Sequence, residues 1–271
     1  MTGACLHKVR LPGGITLQYA ERGERGGPAL LLLHGFTDSL RSWERVMEAL
    51  PADVHAFALS QRGHGDSDRP ASGYRTRDFA ADTAAFIRAM NVGPMWVVGH
   101  SMGAHNARRL AADSPGLVRG LVLVNAFARF RGNPVIEAFY REGIAPLVDP
   151  VDPQFAREFQ ESTVATPVDP AFMDRMIAES LKLPAAVWRA ACEGQLEDDT
   201  GSIEPSSIPV QLHWGDQDSL SPRAGQDELV QRLGASLCVY EGTGHALHWE
   251  QPERFAARLM AFIRDNLKGQ P

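Results

Sequence analysis

Cysteine, long apolar runs and excess basic charge are all scarce in this 271-residue chain. Its three cysteines form no CxxC or Cys/His pattern, so neither a disulfide framework nor a zinc site is expected. No apolar run approaches the roughly 18 residues of a membrane span, and the first ten residues lack a signal-peptide core. The formal net charge of −6 comes without a basic stripe for nucleic acid. These absences predict a cytoplasmic protein that binds neither nucleic acid nor membrane.

Short apolar runs alternate with helical segments through the first half of the chain. The runs of strand length lie at residues 29–33, 54–59, 95–98 and 117–124. Between them, Phe79, Phe86 and Met90 belong to a stripe with helical spacing. Such alternation predicts right-handed βαβ units, and hence a mostly parallel α/β sheet with helices on both faces.

Two segments depart from this alternation. Residues 6–10 and 15–19 flank Leu11-Pro12-Gly13-Gly14, which predicts an antiparallel hairpin at a sheet edge. From 126 to 205 the strand signal disappears and prolines interrupt helical fragments, which predicts a helical insertion. The later pattern predicts strands at 210–214 and 237–240 and helices at 222–233 and 252–267. We therefore predict a core of residues 1–125 and 206–271, with residues 126–205 as a cap.

A glycine–serine–glycine motif lies where one apolar run meets a helical stretch. Residues 96–104 read Trp-Val-Val-Gly-His-Ser-Met-Gly-Ala, which places Gly99, Ser101 and Gly103 at a strand-to-helix turn. Such a turn strains the serine backbone, and the flanking glycines avoid clashes with the neighbouring strand and helix. The Ser101 hydroxyl would then be presented as a nucleophile. The alternative interpretation is an exposed turn before a helix.

Two backbone N–H groups are candidates for stabilising negative charge beside that hydroxyl. Met102 would begin the helix, where unpaired amides and the helix dipole favour an anion. Phe36, in the loop after residues 29–33, would supply the second N–H and also line the pocket. His34 precedes this loop and could be a base, but we interpret it as a loop brace. Phe36 and Met102 are thus the predicted oxyanion hole.

Three motifs together resemble the α/β-hydrolase superfamily. They are Gly-His-Ser-Met-Gly at 99–103, His-Gly-Phe at 34–36 and Gln-Arg-Gly-His-Gly-Asp-Ser at 61–67, and the resemblance covers almost the whole chain. It implies an α/β-hydrolase fold, whose mostly parallel central sheet is flanked by helices and covered by a helical cap. It also implies a catalytic triad in the order serine, acid, histidine. Acyl transfer by such a triad needs no metal or organic cofactor.

Three late histidines compete for the role of base. His245 ends the segment Glu-Gly-Thr-Gly-His at 241–245, which resembles the base position of the family. His213 lies within a strand-like run, and His248 follows about one helical turn after His245, where packing or hydrogen bonding is the simpler interpretation. We therefore assign His245 as the base.

The acid is a choice between Asp216 and Asp218. The family pattern Gly-x-x-Asp selects Asp218 and leaves Asp216 as a turn residue or an alternative acid. Some relatives carry the acid after the strand that follows the helix of the glycine–serine–glycine motif. In this chain that strand-like run ends in Asn125, and an amide cannot stabilise an imidazolium as a carboxylate does. The predicted catalytic residues are Ser101, Asp218 and His245.

Aromatic residues are frequent in the insertion and predict a largely apolar pocket. The expected pocket residues are Phe36, His100, Phe127, Phe139 and Trp188. The substrate implied by the resemblance is a small, apolar carboxylic ester or lactone, cleaved through an acyl-enzyme without cofactor or metal. Either a monomer or a homodimer is compatible with the sequence.

Other reactions and one other class of protein remain as alternatives. Ser101 at the strand-to-helix turn argues against assignment as a haloalkane dehalogenase or an epoxide hydrolase, because these enzymes need an aspartate nucleophile. Carbon–carbon bond hydrolases of vinylogous diketones typically show asparagine before the serine and tryptophan after the histidine, where this chain has His100 and Ala246. Cofactor-free perhydrolases and haloperoxidases tend to lack a large cap and often carry a further glycine, where this chain has Ala104. A small-ligand receptor on the same fold is the non-enzyme alternative.

Overall fold

The computed structural model describes residues 3–197 and 208–268, and a single sheet organises them. Its strands are β1 (Cys5–Arg10), β2 (Thr16–Arg22), β3 (Ala29–Leu33), β4 (His55–Leu59), β5 (Met95–His100), β6 (Val118–Val124), β7 (Val210–Gly215) and β8 (Ser236–Tyr240). They lie in the order β1-β2-β4-β3-β5-β6-β7-β8. β1 and β2 form an antiparallel hairpin at one edge, β2 pairs antiparallel with β4, and the remaining pairs are parallel. The predicted mostly parallel sheet is confirmed.

The central strands are buried along their whole length. Every residue of β3, β4 and β5 is buried, as expected for parallel strands that are covered on both faces. β5 runs two residues beyond the predicted 95–98, because Gly99 and His100 pair with Leu123 and Val124 of β6. The strand therefore delivers the chain directly to Ser101.

Helices cover both faces of the sheet. They are α1 (Glu44–Ala49), α2 (Thr76–Met90), α3 (Met102–Asp113), α4 (Pro134–Phe139), α5 (Pro153–Glu161), α6 (Pro170–Ser180), α7 (Ala185–Glu197), α8 (Arg223–Leu233), α9 (Leu247–Glu250) and α10 (Pro252–Leu267). One apolar core joins α2, α3 and α8 to the sheet through Phe86, Leu110 and Leu229. A second joins α1 and α10 to it through Val46 and Leu259. None of the described helices is both long and apolar enough to cross a bilayer.

Helices α4 to α7 form an insertion between β6 and β7. Its described residues, 126–197, contain no strand. Most of these helices begin with proline after a side-chain cap, at Asn133-Pro134, Asp152-Pro153 and Asp169-Pro170. Proline suits the first helical turn, where the missing N–H would be unpaired anyway. Pro134, Pro153 and Pro170 thus mark helix starts. Residues 198–205 of the predicted cap lie outside the described residues, so its boundaries stay a prediction.

Candidate functional site

Ser101 lies at a strained turn between β5 and α3. Its backbone has φ 51° and ψ −114°. Non-glycine residues rarely adopt these angles, and those that do cluster at active sites. A Cβ atom at Gly99 would come within 2.3 Å of the Gly103 carbonyl oxygen, and one at Gly103 within 2.3 Å of the Leu33 oxygen. Side chains at either position would therefore force the turn apart, as the sequence motif suggested.

The N–H groups of Met102 and Phe36 flank this turn. Met102 is the first residue of α3, and Phe36 lies in the loop after β3. Among the described residues, neither N–H has a hydrogen-bond acceptor. Since the first amides of a helix lack intrahelical partners, the Met102 N–H is available to an external anion. Both residues also line the cavity that contains Ser101.

Asp218 and His245 form a buried pair at the carboxyl ends of β7 and β8. The distance from His245 Nδ1 to Asp218 Oδ2 is 2.8 Å. Asp218 also accepts hydrogen bonds from the Leu220 N–H at 2.9 Å and from the N–H and hydroxyl of Ser221. Burial alone would raise the pKa of Asp218, but His245 and the Ser221 bonds outweigh it and hold the pKa below its usual value. An ionised Asp218 keeps the proton on Nδ1, which leaves the Nε2 lone pair free to accept a proton.

The competing histidines and Asp216 have other partners. His213 bonds to the Tyr240 hydroxyl and to Gln211 Oε1, both at 2.8 Å. Asp216 Oδ1 accepts from the Gly242 N–H at 2.7 Å and so ties two loops together. His248 Nε2 lies 3.1 Å from Ser42 Oγ. Each of these groups therefore braces structure, and among the candidates His245 faces a carboxylate at hydrogen-bond distance.

His34 and Asn125 likewise hold loops in place. The Nε2 atom of His34 accepts from the Gln61 N–H at 3.0 Å, which agrees with the brace expected from the sequence. Asn125 directly follows β6 and has a positive φ of 45°. Its side chain donates to the Gly244 carbonyl at 2.8 Å and accepts from the Gly215 N–H at 3.1 Å. Asn125 thereby joins the loops of Asp218 and His245, a positioning role that sequence reasoning missed.

Ser101 and His245 open into one largely apolar cavity of ≈ 180 Å³. Four of the five expected pocket residues line it: Phe36, His100, Phe127 and Phe139. Its polar lining residues, Asp38, Gln160, Thr163 and Gln195 among them, were not identified from the sequence. Val135 lies at the rim and is 46% exposed, so the cavity opens to solvent beside α4.

Trp188 is a correction to the sequence analysis, because it does not line this cavity. Its side chain is 0% exposed and packs edge-on against Phe36, with ring centroids 5.5 Å apart, and against Phe159 at 5.7 Å. Trp188 thus supports the cavity wall from behind. The helical pattern of α7 predicts a buried tryptophan but does not say whether it lies in the first or second layer around a cavity.

A buried polar network connects the insertion to the loop after β3. Gln160 Nε2 donates to Asp38 Oδ1 at 3.0 Å and to Ser180 Oγ at 2.7 Å. Ser180 Oγ lies 3.0 Å from Thr37 Oγ1. Asp38 is 2% exposed, and burial raises the pKa of its carboxyl to about 7. These bonds anchor α5 and α6 next to the Phe36 N–H.

His100 couples this network to His245. Its Nε2–H donates to the carbonyl oxygen of His245 at 2.9 Å, and its Nδ1 lies 3.9 Å from Asp38 Oδ2. Burial lowers the pKa of His100 to about 3, so the ring is neutral at physiological pH. The residue before Ser101 therefore fixes the backbone of the candidate base.

The buried histidines predict a steep loss of stability in mild acid. Burial lowers the pKa of six of the nine histidines: His34, His64, His100, His105, His213 and His248. Below pH 6.5 the unfolded chain takes up protons that the folded chain excludes, at about 1.4 kcal/mol per pH unit for each histidine. The raised pKa of Asp38 acts in the opposite direction but contributes one group. We expect unfolding with a midpoint between about pH 5 and 6, because total stabilities are about 5–15 kcal/mol.

Circular dichroism against pH, with urea titrations at each pH, checks this expectation. His213→Gln removes one excluded proton and should lower the slope of unfolding free energy with pH, by up to about 1.4 kcal/mol per unit, over the pH range below 6.5 in which the protein is still folded. A protein that keeps its pH 7 stability at pH 4.5 contradicts the neutral burial of these rings.

Comparison with known proteins identifies the fold family. The family model for the alpha/beta hydrolase fold matches residues 28–252. A 2-(acetamidomethylene)succinate hydrolase of Mesorhizobium japonicum is 42% identical over 113 residues, which cover 42% of this chain and 40% of that protein. A pimeloyl-(acyl-carrier protein) methyl ester esterase of Neisseria meningitidis is 28% identical over 249 residues, covering 88% of this chain and 93% of that protein.

A solved structure gives the same result for the fold. The crystal structure of an E-2-(acetamidomethylene)succinate hydrolase matches with a TM-score of 0.82 and 25% identity, and covers 96% of this chain and 99% of that chain. The family model alone spans most of the sequence and includes Ser101, Asp218 and His245. The chain belongs to the α/β-hydrolase fold family.

Proposed function

We propose that this chain hydrolyses carboxylic esters or lactones through an acyl-enzyme on Ser101. The observation that carries the proposal is the buried Asp218–His245 pair, which opens with the strained Ser101 into one apolar cavity. An apolar cavity with a few polar groups suits a small uncharged ester. In this proposal residues 126–205 act as a cap over the nucleophile.

The proposed reaction has two halves. His245 Nε2 takes the Ser101 hydroxyl proton while Oγ bonds to the ester carbon, and the carbonyl electrons move onto its oxygen. The N–H groups of Phe36 and Met102 stabilise that oxyanion. As it collapses, the bond to the leaving alkoxide breaks and His245 returns the proton to it. Water then attacks the acyl-enzyme by the same route and releases the carboxylic acid.

The lining of the cavity favours an uncharged ester over a dicarboxylate. A succinate derivative, such as the substrate named for the Mesorhizobium relative, carries two carboxylates that need cationic partners. Among the described residues no lysine or arginine lines the cavity, whereas Asp38 does. The methyl ester esterase of Neisseria is therefore the better guide to reaction class.

A substrate panel tests the proposal directly. We expect hydrolysis of p-nitrophenyl acetate and butyrate, or of simple lactones, together with covalent labelling of Ser101 by a fluorophosphonate. Vinylogous diketones serve as the carbon–carbon alternative, and hydrogen peroxide with an acid serves as the perhydrolase alternative. Thermal stabilisation by esters without turnover or labelling contradicts the proposal and favours a receptor.

A further inference from the structure

Gln195 lines the catalytic cavity and carries an unpaired side-chain acceptor. It lies near the end of α7, one turn after Cys192, and both residues line the cavity, so this face of the helix is turned toward it. The Gln195 side chain is buried, with 2% exposure, and its Oε1 atom has no hydrogen-bond partner. Native proteins satisfy most such buried oxygens, and an exception within a binding cavity calls for a donor.

A chain of three side-chain amides fixes which end of Gln195 is unpaired. The chain starts at the carbonyl oxygen of His34, which can only accept, and Gln61 Nε2 donates to it at 2.9 Å. Gln61 Oε1 is therefore turned to Asn106, whose Nδ2 donates to it at 2.8 Å. Asn106 Oδ1 in turn accepts from Gln195 Nε2 at 3.3 Å. Reversing any one amide would oppose two NH₂ groups or two oxygens, so the chain ends on Gln195 Oε1.

The position of this oxygen suits a substrate group some distance from the reacting carbon. Asn106 lies in α3, five residues after Ser101, which corresponds to roughly 7.5 Å along the helix axis. Gln195 is bonded to Asn106 from the insertion side. A substrate chain of several atoms would be needed to connect the ester carbon to Gln195.

We propose that Gln195 Oε1 is a subsite for a neutral hydrogen-bond donor, a hydroxyl or amide N–H, carried by the ester several atoms from its carbonyl. This inference rests on the proposed function, because it places the ester at Ser101. A neutral donor matches a neutral amide in a cavity that is also lined by apolar residues such as Phe130 and Ile136. With this subsite the protein favours esters that carry a polar group at the far end over plain alkyl esters of the same length.

Matched substrates measure this preference. Each p-nitrophenyl ester of 6-hydroxyhexanoate, 7-hydroxyheptanoate and 8-hydroxyoctanoate is paired with the alkanoate in which methyl replaces hydroxyl. The readout is the ratio of kcat/KM for the hydroxy ester to kcat/KM for its alkyl partner. For the chain length that reaches Gln195, we expect Gln195→Met and Gln195→Leu to lower this ratio by roughly tenfold or more, since a donor would be left unpaired.

Gln226→Met is the matched control. Gln226 is also buried with an unpaired Oε1, but it lines an adjacent surface pocket beside Ala126 and not the catalytic cavity. Its loss should leave the ratio unchanged, whereas a general disturbance at Gln195 would slow both esters of a pair equally. If the Gln195 variants keep the wild-type ratio at every chain length while hydrolysing the alkyl esters, the subsite is wrong and the hydrolase proposal stands.

A binding measurement separates the two proposals. The unreactive primary amides, such as 6-hydroxyhexanamide and heptanamide, are titrated calorimetrically into Ser101→Ala with and without Gln195→Met. The readout is the ratio of the dissociation constants of the hydroxy amide and its alkyl partner. If Gln195→Met changes this ratio by roughly tenfold, the subsite is supported even if no ester is turned over. An unchanged ratio at all three lengths overturns it.

Discussion

Replacing Ser101 with alanine is expected to lower kcat/KM for p-nitrophenyl butyrate by roughly 10⁴-fold or more, because the only covalent route in the proposed mechanism is removed. Alanine has the same backbone strain as serine at φ 51°, so the substitution adds none. The turn and the Asp218–His245 pair should therefore persist. Turnover of p-nitrophenyl butyrate is measured per folded molecule, and separate samples of both proteins are treated with a fluorophosphonate. Labelling should disappear together with activity.

The matched control for this variant is Ser67→Ala. Ser67 is also buried, but its hydroxyl donates to the Ser60 carbonyl and accepts from the Gln18 N–H, outside the cavity. This change should cost about 1–3 kcal/mol of unfolding free energy and leave turnover per folded molecule intact. Retention of more than a few per cent of activity in Ser101→Ala, with the control unaffected, would exclude Ser101 as the nucleophile.

The second large effect is expected for Asp218→Asn. An amide in place of the carboxylate no longer holds the proton on His245 Nδ1, so a fraction of the rings carries it on Nε2 and cannot act as a base. Loss of roughly 10³- to 10⁴-fold in kcat follows, with a smaller change in KM. Steady-state kinetics at several pH values measures both constants.

Asp216→Asn separates the two carboxylates that the sequence left in competition. An asparagine at 216 retains an oxygen to accept from the Gly242 N–H, so we expect kcat to change by no more than about threefold. If the larger loss falls on Asp216→Asn, the acid is misassigned and the Asp218–His245 contact is only structural.

The features that sequence reasoning predicted are those that local pattern determines. The run 29–33 and the final helix 252–267 match the structure to the residue, because a buried parallel strand and an amphipathic helix each have a distinct period. Gly99, Ser101 and Gly103 are likewise readable, since the close approach of backbone atoms at the turn requires glycine. The assignment of Asp218 needed the family resemblance as well, because Asp216 fits the local pattern equally.

The features that it missed depend on contacts between distant parts of the chain. Asp38 meets Gln160 across 122 residues, and neither has a local signal that distinguishes it from a turn or surface residue. Gln195 donates to Asn106, which is 89 residues away in the sequence. Its Oε1 is unpaired because the series of amide hydrogen bonds that begins at the His34 carbonyl ends at this atom. Trp188 was misplaced for the same reason, because periodicity gives burial but not the layer in which a side chain lies.

The polar bonds between the insertion and the loop after β3 have a consequence for how substrate reaches Ser101. Swinging the insertion away as a rigid body would break the bonds of Gln160 to Asp38 and of Ser180 to Thr37, at a cost of about 1–3 kcal/mol for each buried partner left unpaired. It would also displace the loop that carries the Phe36 N–H. For the proposed ester substrate we therefore expect entry on the side of Val135, which lines the cavity and is exposed, while the insertion keeps these bonds.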